Sequence, residues 1–316
     1  MRDPTPLEEA VARGVHVVLN PAAGQPEPAL AAIGGVLGGA GVGWAATVLD
    51  GVSDPVADVR AAVADGAGLV AAYGGDGTVA AAAEAVIGTD AVLAVLPGGT
   101  ANAIARELGV PGSVADACRL FCAGDPDGRP DGRVGAVDAI GLADGTHALL
   151  QVGAGVHAAA IAGADREAKD SLGTAAYALE GLRAIRGAPT SRYRLHLDGA
   201  PVEAEGVACL ICNGGAVGFG PFALAPEISM RDGELDVLVL HDTDVRTLLA
   251  LARDMLLGRP PGAEGVRHWR AESVRVEMDP PQSVQRDGNP APGVSLAARV
   301  LPSALRVVVP TRRSAA

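Results

Sequence analysis

The sequence predicts an α/β domain followed by a mainly β domain. Two patterns and the chain length point there. Up to about residue 133, short continuous apolar runs alternate with Ala- and Leu-rich stretches of helical length, which indicates a parallel sheet covered on both faces. Over 134–301, closely spaced apolar runs with a few inserted helical stretches indicate an antiparallel sandwich or barrel. The 316 residues suit two domains at about 150 residues each.

Residues 15–19 (VHVVL) form a compact apolar strand, followed by Asn20-Pro21-Ala22-Ala23-Gly24 and a helix near 27–38. A second strand at 43–49 leads to Ser53-Asp54-Pro55, where a side-chain cap and a first-turn proline start a helix that runs to about Asp65. Strand 68–73 enters Gly74-Gly75-Asp76-Gly77-Thr78 and a helix at 78–87. Strand 91–96 enters Pro97-Gly98-Gly99-Thr100-Ala101-Asn102 and a helix at 101–108, and a helix near 113–123 closes this Rossmann-like half. The stretch 124–133 (GDPDGRPDGR) reads as a boundary. Beyond it, strands are expected near 134–142, 146–153, 191–197, 202–213, 234–240, 272–278, 282–286 and 304–309, and helices near 156–168, 172–186 and 244–257.

Composition narrows the function. The formal charge is −12 and aromatics are 3% of the chain, so the basic surface and stacking platforms of a nucleic-acid binder are missing. Hydrophobic residues at 49% exclude wholesale disorder, and 43 glycines without a three-residue period point to tight turns rather than collagen. The N-terminal segment is polar and lacks the apolar core of a signal peptide. The most apolar window, near 148–164, is broken by Gln151 and His157, short of the ~18 residues a membrane span needs. A soluble, cytoplasmic protein with free thiols is expected. Cys209 and Cys212 fall on opposite faces of a strand, which suits buried thiols better than metal ligands.

Asn20–Gly24, Gly74–Thr78 and Pro97–Asn102 each follow a strand and precede a helix. In an open parallel sheet the C-terminal strand ends share one edge, where ligands bind. Glycines there expose backbone N–H groups beside positive helix ends, an arrangement suited to phosphates. Taken singly, each turn reads first as a tight βα connection; three together, with Thr78, Thr100 and Asn102 as donors, point to a nucleotide. Asp76 repels a bare phosphate and so implies a Mg²⁺-nucleotide. Neither a Walker A loop nor a GxGxxG opening is present.

VVLNPAAG, YGGDGTV and LPGGTANAIARELG together resemble the signature of the diacylglycerol kinase catalytic-domain superfamily, which includes bacterial lipid kinases, sphingosine kinases and ceramide kinases. The resemblance continues through Lys169–Tyr177, Asn213-Gly214-Gly215, Pro226–Asp236 (PEISMRDGELD) and Asp287-Gly288. It implies an ATP-dependent lipid kinase with a nucleotide-binding domain over 1–133, completed by 302–316, and a β-rich lid over 134–301. Carried over by position, Asn20, Pro21, Ala22, Ala23 and Gly24 meet the nucleotide, Gly74, Gly75, Asp76, Gly77 and Thr78 cradle its phosphates, and Thr100 lies near the transferred group. Asp232, with Ser229 and Glu234, matches a Mg²⁺ site. A carboxylate must accept the proton of the lipid hydroxyl. Asp76 and Asp287 are the candidates, with Asp76 assigned to Mg²⁺ and phosphate and Asp287 to the proton.

Two positions depart from the family pattern: Asn289 replaces a common glutamate and His157 a common aspartate. An amide is no base. A kinase of a soluble hydroxyl compound, or a degenerate lipid- or nucleotide-binding regulator, are the alternatives. With charge −12, membrane contact is expected to be peripheral and transient, with Arg259–Arg275 as a local basic stretch. A homo-oligomer stays open.

Overall fold

The computed structural model describes residues 4–24, 26–122, 129–155, 189–216, 227–241, 265–291 and 296–311. The helices expected near 156–168, 172–186 and 244–257 lie outside these residues, as do His157, Lys169, Tyr177 and Arg259. The chain divides into two compact units, Met1–Val137 with Ser303–Ala316, and Asp138–Pro302.

Unit 1 contains α1 (Pro6–Arg13), β1 (Val15–Leu19), α2 (Pro26–Gly39), β2 (Trp44–Val48), α3 (Pro55–Ala64), β3 (Leu69–Gly74), α4 (Asp76–Val86), β4 (Val92–Pro97), α5 (Ala103–Glu107) and α6 (Val114–Arg119). Helix α1 was not expected from the sequence, although its signal is legible: Thr5 and Glu8 form a reciprocal capping box ahead of a first-turn proline. Asp54 caps α3 by accepting from the Val56 amide, as Ser53-Asp54-Pro55 foretold. The sheet is parallel: Val17 lies opposite Ala46 and Ala71, and Ala71 opposite Ala94. Central strands β3 and β4 are buried along their whole length, whereas β2, at the edge, is mostly exposed. That is why β3 and β4 read as unbroken apolar runs.

The chain passes between the units in two strands, β5 (Gly132–Leu142) and the long C-terminal strand β16 (Ala297–Pro310), whose Val307 pairs with Leu93 of β4 within unit 1. Unit 2 adds β6 (His147–Ala148), β7 (Gln151–Gly155), β8 (Ser191–Leu197), β9 (Ala200–Gly206), β10 (Ala208–Cys212), β11 (Leu235–Leu240), β12 (Val266–Ala271), β13 (Ser273–Asp279), β14 (Val284–Arg286) and β15 (Asn289–Pro290). One antiparallel sheet runs β12-β11-β10-β7-β14-β15; the other pairs the start of β16 with β13, β8 and β9. Tyr193, Leu195, Val274 and Val276 of the second sheet share a core with Val152, Cys209, Ile211 and Val237 of the first, which makes the unit a sandwich.

The run expected at 202–213 is two strands, and β12 was not expected. Cys209 lies in the main core and Cys212 in a separate cluster with Ile228 and Leu238, so alternation does put them on opposite faces. All four cysteines are free and buried; burial pushes Cys209 and Cys118 up to about 12 and Cys122 up to about 11, which keeps them protonated and unreactive at neutral pH.

Candidate active site

In unit 1 the three glycine-bearing turns meet at the C-terminal ends of β1, β3 and β4. Asn20, just past β1, donates from Nδ2 to Thr78 Oγ1 at 2.9 Å, and its own Oδ1 accepts from the Ala22 amide at 2.9 Å. Tyr73 near the end of β3 donates its hydroxyl to the Ala23 carbonyl at 3.2 Å. The third turn is fastened internally: Asn102, with φ 48°, accepts from the Gly99 amide and donates to the Gly99 carbonyl. Asp76 opens α4 and accepts from the Ile104 amide at 2.9 Å, which ties the second turn to the third.

Glycine is required where these turns touch. A Cβ on Gly99 would stand 2.5 Å from the Gly75 Cα, and one on Gly24, at φ +55°, would stand 2.8 Å from the Gly98 carbonyl oxygen. No side chain fits between the backbones. Helix α4 begins at Gly75 without a side-chain cap; the Thr78 amide already donates to the Gly75 carbonyl at 3.0 Å, which leaves the Asp76 and Gly77 amides ahead of the first bond within the helix. Gly77 and Thr100 are exposed beside them, and Pro21, Ala22 and Gly24 are exposed on the first turn; Gly74 and Thr78 are buried. Arg106 brings a cation to this region: burial lowers its pKa, and the Asp76 carboxylate acts against that shift.

The remaining predicted residues lie in unit 2. Asp287 and Gly288, both at positive φ, form the turn of the β14–β15 hairpin, with Arg286 opposite Asn289. The Asp287 side chain is buried, and its carboxylate accepts from the amides of Leu149 and Leu150, each at 2.8 Å, and of Gln151 at 3.0 Å. Burial pushes this carboxyl above the usual carboxylate range, while the three amides pull it back. Asn213 reaches the same segment, donating to the Leu149 carbonyl at 2.7 Å and the Asp138 carbonyl at 2.9 Å. Two motifs far apart in sequence, Asn213-Gly214-Gly215 and Asp287-Gly288, thus clamp one short stretch between β6 and β7.

Asp232 and Glu234 share a partner that the sequence reading did not assign to them. Arg270 of β12 pairs with Asp232, lies 2.8 Å from Glu234 and 3.7 Å from the buried Asp236, which also meets His268 at 2.6 Å. Ser229 is half-buried nearby in sequence. Strand pairing gives the missed signal: Asp236 lies directly opposite Arg270.

Known proteins resemble the chain along most of its length. The family described as the diacylglycerol kinase catalytic domain matches residues 14–128, and the YegS C-terminal NAD kinase beta sandwich-like domain matches residues 150–309. A protein of Pseudomonas aeruginosa named a probable lipid kinase YegS-like is 34% identical over 257 residues, 80% of each chain. The chain belongs to the diacylglycerol kinase family. An uncharacterized protein of Synechocystis sp. is 30% identical over 255 residues, 79% of this chain; the chain spans 57% of that protein. A crystal structure of a candidate diacylglycerol kinase from Bacillus anthracis str. Sterne superposes with a TM-score of 0.76 at 25% identity, covering 95% of this chain and 97% of the other.

Family membership raises the question of what the residues fit. The three turns fit a nucleotide's phosphates: backbones too close for any Cβ, uncapped α4 amides and the Arg106 cation. Asp232 and Glu234 have oxygens of the kind Mg²⁺ prefers. As they stand, however, both are paired with Arg270, and among the described residues no three His, Cys, Asp or Glu side chains are grouped to hold a metal ion. A dication there has to displace a guanidinium.

Proposed function

We propose that the chain is an ATP-dependent lipid kinase that transfers the γ-phosphoryl group to the hydroxyl of a diacylglycerol-like or sphingoid lipid. The observation that carries this reading is the meeting of three glycine-bearing turns at one edge of the parallel sheet, tied by the Asn20–Thr78 bond. Phosphoryl transfer needs positioning and charge neutralisation more than covalent help from the protein. ATP supplies the activated phosphoryl group, with a divalent cation neutralising its phosphates. The chain supplies amides of Gly74–Thr78 to orient them, Asn20 and Thr78 to fix the first two turns together, and Thr100 as an exposed donor on the third.

The proton needs an acceptor. Asn289 is exposed, its Nδ2 turned to the Asp287 carbonyl at 3.3 Å, and its amide has no basic atom to offer. Asp287 commits both oxygens to main-chain amides. Asp76 commits Oδ1 to Ile104 and keeps Oδ2 without a hydrogen bond among the described residues. We therefore assign proton acceptance to Asp76 and the holding of segment 149–151 to Asp287, the reverse of the preference drawn from sequence resemblance. The reading places the protein in the cytoplasm, meeting the membrane surface transiently; among the described residues no helix is long and apolar enough to cross it.

The test is partition of radiolabel. The protein is incubated with radiolabelled ATP, Mg²⁺ and mixed micelles of diacylglycerol, ceramide or sphingosine, then extracted. Label in the organic phase supports the lipid kinase; label confined to an aqueous product replaces it with a kinase of a soluble alcohol. Binding of ATP without transfer replaces it with a regulator.

A further inference from the structure

The outward face of the second sheet of unit 2 carries a feature that the kinase reading does not use. Strands β8, β13 and β16 alternate cleanly: Leu195, Leu197, Val274, Val276, Ala298 and Val300 point into the sandwich, so Ser273, Arg275, His196 and Arg299 point out. Register then sets their neighbours. Arg275 lies directly opposite His196 on one side and Ala297 on the other, and Ser273 lies opposite Arg299. Arg275 and Arg299 are therefore diagonal neighbours across β13 and β16, about 7–8 Å apart at the backbone and within reach of one ligand for side chains of this length.

Small residues make up much of the lining beside them. Gly141, Ala143, Gly199 and Ala297 line a concavity of about 480 Å³ bounded by His196, Arg275 and Arg299. That volume lies within the range of small-ligand sites.

Charge pairing separates these two arginines from the others on neighbouring strands. Arg192 pairs with Glu205, Arg194 with Glu203 and Glu277, and Arg267 stacks on Trp269 and donates to the Glu203 carbonyl. Among the described residues, Arg275 and Arg299 have no hydrogen-bond or ion-pair partner, and neither does His196. Asp198, next to Gly199 in sequence, is directed at the start of β13, accepting from the Ser273 amide at 2.8 Å and hydroxyl at 3.2 Å and from the Glu272 amide at 3.3 Å. Two unpaired guanidiniums facing one concavity on a chain of net charge −12 form a local cationic site in an acidic surround.

We propose that this concavity binds a phosphate-bearing anion, with Arg275 and Arg299 as its paired guanidinium donors and His196 on its wall. Guanidinium forks match phosphate oxygens bidentately, which an ammonium cannot do, and two of them facing one group add geometric selection to charge. The site is separate from the three turns of unit 1 in the residues that form it, and it does not depend on the kinase reading. A free phosphate monoester and the headgroup of an anionic phospholipid offer the same chemistry.

The test compares the full chain with the double variant Arg275→Gln/Arg299→Gln and with Arg192→Gln/Arg194→Gln, which removes two paired arginines from the same sheet. Each is titrated with inorganic phosphate, followed by thermal shift, and sedimented with phosphatidylglycerol–phosphatidylcholine vesicles or with phosphatidylcholine vesicles alone. The first double variant is expected to bind at least about tenfold more weakly than wild type, with the effect fading as NaCl rises, because two charge-assisted contacts are lost. The second is expected to bind as wild type does. Arg275→Lys/Arg299→Lys is expected to fall between, since it keeps charge but loses the fork. Binding of phosphate with no vesicle sedimentation identifies a soluble phosphate as the ligand; sedimentation with anionic vesicles only identifies a headgroup. Equal binding by wild type and the first double variant overturns the proposal, as does an equal loss in both double variants. All substituted side chains are exposed, and unchanged circular dichroism will show that each variant folds.

Discussion

Asn20 Nδ2 donates to Thr78 Oγ1 at 2.9 Å, joining residues 58 positions apart on the turns after β1 and β3. Thr78 is buried and Asn20 half-buried, so this bond holds the two turns in one register. Thr78→Val keeps the shape and removes the acceptor. ATP affinity is expected to fall about five- to tenfold, the worth of one hydrogen bond of roughly 1 kcal/mol, with Asn20 left without its partner. Isothermal titration with ATP measures it; unchanged affinity would show that the turns hold their places without the bond.

Backbone contact between the second and third turns gives a stability prediction. Gly99→Ala puts a methyl group 2.5 Å from the Gly75 Cα, and the turns must separate to admit it. A loss of about 1–3 kcal/mol is expected, as for other overpacked sites. Gly35→Ala, in exposed helical turns of α2 with open space around it, is expected to gain about 0.5–1 kcal/mol. Chemical denaturation of both variants checks the pair.

Asp287 distinguishes a holding role from a chemical one. Asp287→Asn turns one carboxylate oxygen into an NH₂ facing main-chain N–H groups, and at least one of Leu149, Leu150 and Gln151 loses its acceptor. Stability is expected to fall by about 1–3 kcal/mol. Exposed Asn289→Asp next to it is expected to stay within about 0.5 kcal/mol. If Asp287→Asn kept full stability and lost all turnover, Asp287 would be the base and Asp76 would not.

His16 makes stability depend on pH. It sits half-buried on β1 with its Nε2 at 2.9 Å from Thr47 Oγ1, and burial lowers its pKa below 6.5, more than Asp65 raises it. The unfolded chain therefore takes up the proton first. Stability from the neutral ring is fully present above the unfolded value and is lost as pH falls through it toward the folded one. The melting temperature of wild type is expected to drop more between pH 7.5 and pH 5.5 than that of His16→Gln.

Much of this was legible in the sequence, and the exceptions have physical causes. Buried parallel strands announce themselves because both faces are apolar, so β1, β3 and β4 and their turns could be placed within a residue or two. A polar edge strand carries no such signal. Strand β12 was missed because four of its six residues are His, Trp or Arg, part of the basic stretch Arg259–Arg275, and form no apolar run. The pairing of Arg270 with Asp232 and Glu234 is a consequence of β11–β12 register, which periodicity within one strand does not contain. The same holds for Asp287, whose turn geometry was readable from Asp-Gly but whose three amide partners lie more than 130 positions away.

The central claim is that the three-turn edge of unit 1 presents ATP for transfer to a lipid hydroxyl, with Asp76 accepting the proton. Transfer of radiolabel from ATP to a lipid extract, measured for wild type and Asp76→Asn alongside ATP binding by the same samples, tests it most directly. Label in the lipid with wild type, and at least ~100-fold less with a variant that still binds ATP, is the expected result. Undiminished transfer by Asp76→Asn would contradict the assignment of the base, and the absence of any labelled lipid from an ATP-binding wild type would contradict the lipid kinase itself.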